Sequence, residues 1–201
     1  WEWVKPDPYD DAYYREHMHE LPPLIHKERD RMIDVHHTIL PLTARPRPDA
    51  AGMLGVAQSL GSGLCVLSPT DMVCHSAAHL FADGDLAGGL RNLWDIHCLL
   101  DEFGSPDFWD KLRERAARHQ LSEPVERAVR LAHQLYGTEI PNGWNRWHRQ
   151  DKYYVARMTA RDGWGRPTRK FIRVIFYIRS HWLRMPPLML ARHLWVKWRK
   201  G

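Results

Sequence analysis

An aspartate and two adjacent histidines interrupt an apolar stretch of the chain, in the segment RMIDVHHTILP at residues 31–41. Ile33, Val35 and the β-branched residues that follow favour a strand. Side chains alternate between the two faces of a strand, so Asp34 and His36 would share one face. A carboxylate between two apolar residues is costly to bury unless it is paired or metal-bound. Asp34 is therefore a candidate metal ligand at a sheet edge, with His36 as a second candidate ligand. The pattern alone favours the other interpretation, a half-exposed strand whose polar face carries Asp34 and His36.

Two further histidines, His75 and His79 in CHSAAHLF, lie four residues apart in a segment with helical character. This spacing places two imidazoles on one face of a helix, as two ligands of a zinc site require. The segment lacks the intervening glutamate of HExxH, and no third ligand is evident beside it. Hydrogen-bonded packing is therefore the favoured interpretation of this pair, with metal binding as the alternative.

A third arrangement, RNLWDIH at residues 91–97, has an arginine and a histidine with five residues between them. It is similar to the short Arg-to-His motif of the HEPN helical ribonucleases, in which a polar residue such as Asn92 follows the arginine. RNA cleavage by Arg91 and His97 is thus one alternative function. His97 also falls on the apolar stripe of a predicted amphipathic helix, which favours a core or interface position.

The elements that must position these residues begin with two extended segments, 21–29 and 31–41. Pro22 and Pro23 oppose a helix, and Asp30 fits a turn between two strands, so we expect a hairpin. A proline-broken linker follows at 43–50, then a short helix from about Asp49 to Leu60, then a loop with a short strand in GSGLCVL.

From SPTD onward the pattern is helical. Ser68 is suited to cap a helix whose first turn contains Pro69, and Gly137 is suited to end another. We predict helices over 69–82, 89–103, 106–119, 122–136, 150–162, 167–183 and 187–199. The expected fold is mainly α, in the α+β class: a bundle of about six to eight helices with a small N-terminal β-hairpin or sheet remnant. The predicted divisions are a sheet remnant (1–42), a helical domain (43–150) and a helical tail (151–201).

Composition fits a folded chain, with 44% hydrophobic and 26% charged residues. No apolar run approaches the roughly 18 residues that span a bilayer. The three cysteines form no CxxC pair, which is typical of thiols in a reducing compartment, so we expect a cytoplasmic protein.

Charge is concentrated in the tail. Residues 161–201 hold eleven Lys or Arg against one acid, Asp162, whereas the remainder holds 18 basic and 23 acidic residues. The tail interleaves these basic residues with aromatic ones. The favoured interpretation is a pair of helices whose apolar side chains pack on the body while Arg and Lys face water or the acidic body. Contact of residues 166–201 with an anionic membrane surface, to which a basic amphipathic helix is suited, comes next, and nucleic acid is the least favoured partner.

The order of these segments resembles a known family. IDVHHTILP is followed by VLSPTDMVCHSAAHLF, then by LRNLWDIHCLLDEF, and then by a helical pair that ends in HQLYG. Over roughly residues 15–137 the chain is similar to the bacterial uncharacterised nucleotidyltransferases of the polymerase-β-like superfamily, which are often encoded near exopolysaccharide genes. The phrase IRSHWLRMPPLMLARHL in the tail is also similar to this family.

The resemblance implies transfer of a nucleoside monophosphate from an NTP to an acceptor. In such enzymes an early Gly-Ser segment, an Asp-x-Asp pair and a later third carboxylate bind two Mg²⁺ ions. Asp34 matches the third carboxylate by position and context, and Mg²⁺ would be its partner. A non-catalytic helical interaction module with a membrane-surface tail is the alternative function.

The chain departs from the family pattern before Asp34, where no Gly-Ser followed by Asp-x-Asp is present. GSGL at 61–64 and the DGD segment at 83–85 both come later. The first residue is Trp1 rather than Met. From the resemblance we therefore expect a C-terminal piece that is inactive alone, binds Mg²⁺ weakly or not at all, and needs a missing N-terminal catalytic half or another chain.

Overall fold

The N-terminal region is a small antiparallel sheet with one helix. The computed structural model describes residues 1–4 and 8–200. Strand β1 (Glu2–Trp3) precedes helix α1 (Pro8–His17), and strands β2 (Leu24–Ile25) and β3 (Met32–Ile33) follow. The sheet order is β1-β2-β3, so β3 lies at an edge. The predicted hairpin is confirmed, and Asp30 lies in its turn with a positive φ of 46°. Helix α1 was not predicted, because its side chains lack apolar periodicity.

The hairpin contains an irregularity beside Asp34. Leu24 pairs with Ile33, and the pairing resumes where Glu20 opposes His36 in an antiparallel bridge. The first strand therefore carries one more residue than the second between these two pairs. Pro22 and Pro23, which lack backbone N–H groups, fall in this interval. Asp34 thus follows β3 at a point where the ladder is interrupted.

A second hairpin replaces part of a predicted helix. Helix α2 covers only Ala50–Leu54, with the Asp49 carboxylate accepting a hydrogen bond from the Gly52 amide. The prediction that this helix continues to Leu60 is wrong, because Gln58–Gly61 forms strand β4, which pairs with β5 (Leu64–Val66). Gly61 and Gly63 adopt positive φ in the connecting turn, a conformation that glycine tolerates.

The helix after this hairpin begins where the SPTD motif predicted. Ser68 caps α3 (Pro69–Ala78), and its side chain accepts from the amide of Asp71. The helix then widens into a π-helical turn over His79–Asp83. Wide turns of this type are uncommon and occur frequently at functional sites. His79 lies at the junction of the two helical forms.

The remaining helices form the body and the tail, and the core lies between them. They are α4 (Gly89–Phe103), α5 (Pro106–Arg118), α6 (Ser122–Tyr136), α7 (Asp151–Met158), α8 (Lys170–Arg184) and α9 (Pro187–Lys200). Helix α3 packs against α4, α5 and α6, and α8 packs against α7 and the π-helical turn. Gly137 ends α6 in the left-handed conformation. The mainly α, α+β fold is therefore confirmed, whereas the three predicted divisions of the chain stay predictions.

A buried ion pair fixes α3 to α5. The Asp71 side chain is fully buried and accepts hydrogen bonds from Arg115 Nε at 2.8 Å and Arg115 Nη2 at 2.7 Å. Ser68 Oγ donates to the same carboxylate at 2.9 Å. Arg115 also donates to the carbonyl of Gly52 at 3.1 Å, so one guanidinium joins α5 to both α2 and α3. This network sets the position of the helix that carries His75 and His79.

The linker after the N-terminal sheet is attached to the tail. Thr43 Oγ1 donates to the carbonyl of Arg184, and the backbone amide of Arg45 donates to the carbonyl of Leu183. The Arg45 guanidinium also lies over the ring of Trp182, 4.2 Å from its centroid. The C-terminal end of α8 therefore contacts the segment that follows IDVHHTILP.

Candidate functional site

Asp34 lies in an exposed position immediately after β3. The side chains of Met32, Ile33, Asp34 and Val35 are all exposed, so neither face of this segment is buried. Within the described part of the chain, Asp34 makes no hydrogen bond or ion pair. Its carboxylate is therefore accessible to solvent, and the argument that a buried acid at this position needs a metal partner does not hold. Its role as a metal ligand stays a prediction.

His36 belongs to a cluster that the sequence did not reveal in full. Its Nε2 atom lies 3.3 Å from Oε2 of Glu20, which opposes it across the hairpin. His19 is the neighbour of Glu20, and its ring centroid lies 4.9 Å from that of His36. One ligand atom from each of His19, Glu20 and His36 lies within 4.8 Å of the other two. We call His19, Glu20, His36, His75 and His79 the histidine cluster.

Backbone pairing brings the two sides of the cluster together. The Leu21 amide donates to the Val35 carbonyl at 2.9 Å, and the His37 amide donates to the His19 carbonyl at 3.0 Å. Residues directly opposite in an antiparallel pair direct their side chains to the same face. This register explains why Glu20 meets His36. The segment HMHELPP contains both His19 and Glu20, but only the register of the hairpin shows that they lie beside His36.

The helical body contributes the other two imidazoles. The His79 ring lies 5.6 Å from that of His19 and 5.9 Å from that of His36, between centroids. His75, one helical turn earlier, lies 4.5 Å from His79. Burial lowers the pKa of His75 to about 4, with smaller contributions from His79 and His36. His75 is therefore neutral near pH 7. The predicted proximity of His75 and His79 is observed, whereas His19 and Glu20 were missed.

The residues described here do not fit a pair of Mg²⁺ ions by themselves. A two-metal site needs several carboxylates within a few ångströms. Among the described side chains, His19, Glu20 and His36 form the one group of three or more potential ligands that are this close. Asp34 is not part of that group. A two-Mg²⁺ centre at Asp34 would need further acidic residues.

Arg91 and His97 occupy different environments on α4. Arg91 is exposed, whereas His97 is half-buried, with Nδ1 2.9 Å from Oγ1 of Thr138. The His97 ring also contacts Trp94, at 4.8 Å between centroids, and Tyr136, at 5.7 Å. Arg91 and His97 are six residues apart, and at about 100° per residue their side chains point about 120° apart around the helix axis. The two residues therefore do not share a face. The ribonuclease function stays a prediction.

The tail presents an exposed apolar stripe on α8. Phe171, Val174, Ile175, Ile178 and Trp182 are all exposed, at the spacing of one helical face. The side chains of 192, 193, 196–198 and 200 on α9 lie outside the described residues. No helix in the described ranges, 1–4 and 8–200, has the length and apolarity needed to cross a bilayer.

Several basic residues of the tail line a cleft on the surface. This cleft, of about 650 Å³, lies beside α7 and the start of α8 and is lined by Arg157, Arg161, Arg169, Lys170 and Arg173, among others. Arg157 Nη2 pairs with Asp85 Oδ2 at 3.0 Å. Among the described residues that line the cleft, Asp85 is the one acid beside five basic residues, so the cleft is cationic.

The chain was compared with curated proteins, solved structures and models of protein families. No curated protein and no solved structure matches this chain. A family model described as "Uncharacterised nucleotidyltransferase" matches residues 1–137, a range that contains Asp34 and the histidine cluster. Since this range is more than half of the 201 residues, the chain belongs to the uncharacterised nucleotidyltransferase family.

Proposed function

We propose that this chain is part of an enzyme that transfers a nucleoside monophosphate from an NTP to an acceptor, and that Asp34 is one of its catalytic carboxylates. The family match over residues 1–137 carries this proposal. Asp34 is exposed after β3, so its carboxylate is accessible to a substrate or a metal, but the proposal rests on the family match and not on this exposure.

The edge of the N-terminal sheet supports a need for a second segment. Strand β3 is the last strand in the order β1-β2-β3, and no described strand pairs with its outer side. Met32, Ile33 and Val35 are 59%, 37% and 39% exposed along this edge. An uncovered apolar edge is a typical site for another strand to pair. We assign this edge to the segment that supplies the Gly-Ser and Asp-x-Asp motifs.

The described chain alone should not catalyse the transfer. A two-metal centre is held by several carboxylates, and Asp34 stands apart from other potential ligands. The missing carboxylates come from an N-terminal catalytic half or from another chain.

Pyrophosphate release from a mixture of the four NTPs with Mg²⁺ tests the proposal. The chain alone should release no more than its Asp34→Asn variant. When a polypeptide carrying the Gly-Ser and Asp-x-Asp motifs is supplied, in the same chain or separately, release should appear, and Asp34→Asn should abolish it. The Asp101→Asn variant, which changes an exposed carboxylate on α4, is the matched control and should retain release. Release that persists in Asp34→Asn would contradict the proposal.

A second candidate function, contact with an anionic membrane surface, is favoured by the exposed stripe on α8. Phe171, Ile175 and Ile178 lie on one face, and Lys170 and Arg173 are nearby on the same helix. A helix with an apolar face and basic flanks lies at the membrane interface, and each basic residue near an anionic surface contributes about 1 kcal/mol.

Co-sedimentation with vesicles tests this second candidate. The chain should sediment with vesicles that contain phosphatidylserine and less with vesicles of phosphatidylcholine alone. The double variant Phe171→Ser/Ile178→Ser should lose this binding, whereas Leu60→Ser, which changes an exposed leucine on β4, should keep it. Equal binding by both variants would exclude the stripe as the contact surface.

A further inference from the structure

Two antiparallel segments and one helix bring metal-ligating side chains to the same point. His19 and Glu20 come from the first side of the N-terminal hairpin, and His36 comes from the second. One ligand atom of each lies within 4.8 Å of the others. His79, from the π-helical turn, is the nearest further imidazole, with ring centroids 5.6 Å from His19 and 5.9 Å from His36.

We infer that His19, Glu20 and His36 form a binding site for a divalent transition-metal ion, with Zn²⁺ as the ion that fits best. Imidazole nitrogens favour zinc, nickel, copper and iron over Mg²⁺ or Ca²⁺, which prefer oxygen ligands. Two histidines and one glutamate are also the ligand set of several zinc sites that retain an open fourth position.

The distances are close to those that a bound ion requires. Zinc binds imidazole nitrogen and carboxylate oxygen at about 2.0–2.2 Å, so two ligand atoms in a tetrahedral site lie about 3.3–3.5 Å apart. Nε2 of His36 and Oε2 of Glu20 are already 3.3 Å apart. The three ligand atoms lie within 4.8 Å of one another. A shift of about 1 Å in the third atom, by rotation of its side chain, therefore brings it to the separation of a tetrahedral site.

The position of the cluster combines rigidity with access. His19 is buried, whereas the side chains of Glu20 and His36 are 23% and 38% exposed. An ion can therefore enter from the side of His36 and reach His19, the buried ligand of the three. The backbone bonds from Leu21 to Val35 and from His37 to His19 preorganise the two segments before the ion binds.

Such an ion would stabilise the base of the hairpin that carries Asp34. His36 lies two residues after Asp34, and His79 belongs to the helical body. A metal at this point would hold the hairpin in register beside the π-helical turn. The site needs neither the Asp34 carboxylate nor a nucleotide. The inference is therefore independent of the proposed nucleotidyl transfer.

Titration of the untagged full chain, freed of metal with a chelator, tests this inference. We expect one Zn²⁺ per chain by calorimetry, and one Co²⁺ per chain with an absorption band in the visible region. Zn²⁺ should also raise the melting temperature. The variants His36→Gln and Glu20→Gln should each weaken Zn²⁺ binding by at least ~10-fold and remove the rise in melting temperature, since even supporting residues of metal sites contribute about 10–100-fold.

Two control variants separate this site from its neighbours. His37→Gln changes the adjacent, exposed histidine and should leave Zn²⁺ affinity within about twofold. Asp34→Asn should do the same, although it abolishes nucleotidyl transfer under the proposed function. Circular dichroism without metal establishes that each variant is folded, and Glu20→Gln serves if a histidine variant is not.

Three results would overturn the inference. Binding of no Zn²⁺ by the folded chain is the first. Equal Zn²⁺ affinity in wild type, His36→Gln and Glu20→Gln is the second, because the ion would then lie elsewhere. An equal loss in Asp34→Asn is the third, because it would place the ion at the exposed carboxylate rather than in the cluster.

Discussion

The buried ion pair between Asp71 and Arg115 allows a quantitative test of how the body is held together. The Asp71→Asn substitution keeps the size of the side chain but removes its charge. The carboxylate accepts two hydrogen bonds from Arg115 and a third from Ser68, all between 2.7 and 2.9 Å. An amide replaces one acceptor oxygen by an NH₂ group that faces the guanidinium, so Arg115 is left with an unpaired charge.

The expected loss is large because both partners are removed from water. Asp71 is fully buried, and the Arg115 side chain is 13% exposed. Removing one partner of a buried pair costs about 3–5 kcal/mol. For a chain of this size, each kcal/mol lowers the melting temperature by about 2–4 °C. Asp71→Asn should therefore lower the melting temperature by about 6–20 °C.

Thermal and urea unfolding, followed by circular dichroism at pH 7, measure this loss. Glu2→Gln is the control, because it breaks an ion pair on the surface. Glu2 Oε1 lies 2.6 Å from Lys27 Nζ, and the two side chains are 57% and 63% exposed. An exposed pair contributes at most about 1 kcal/mol. If Asp71→Asn destabilises the protein no more than Glu2→Gln, the claim that this network fixes α3 to α5 is refuted.

Three further predictions concern single positions. Asp34→Asn should change the melting temperature by no more than about 2 °C, since the side chain is exposed, and a drop above about 4 °C would show that it has a structural partner. Gly137→Ala should lower the free energy of unfolding in urea by about 1–2 kcal/mol, because alanine is disfavoured at the positive φ of 73°. No atom lies near enough to clash with the added methyl group, so the backbone conformation accounts for the whole loss, and an unchanged stability would contradict this. Burial would raise the pKa of Asp151, but hydrogen bonds and charges from Arg130 and Arg127 outweigh it and lower that pKa. The stability that the Asp151 carboxylate gains from Arg130 and Arg127 is thus present above about pH 4 and is lost as the pH falls through the folded-state pKa of Asp151. The gap in unfolding free energy between wild type and Asp151→Asn should shrink from pH 7 to pH 3, and a constant gap would refute the assignment.

Local signals in the sequence were sufficient for most helix ends. Ser68 caps α3 because its hydroxyl reaches an amide three residues ahead, and Gly137 ends α6 because glycine accepts the left-handed conformation. Each of these signals acts within one turn of chain. The hairpin around Asp30 was predictable for the same reason. The predicted helix to Leu60 failed because pairing between β4 and β5 outweighed the weak local preference of 58–60.

The candidate site residues also divide into those that local sequence identified and those that only the tertiary structure brought together. The sequence by itself identified Asp34 through an acid in an apolar strand and through the family resemblance, and it identified His75 and His79 through helical spacing. Only the tertiary structure decided that His19 and Glu20 meet His36 and approach His79. That meeting depends on the register of the hairpin, which the extra residue near Pro22 and Pro23 shifts, and on the packing of α3 beside it. Contacts between segments tens of residues apart in the sequence are set by packing and pairing, and no local pattern encodes them.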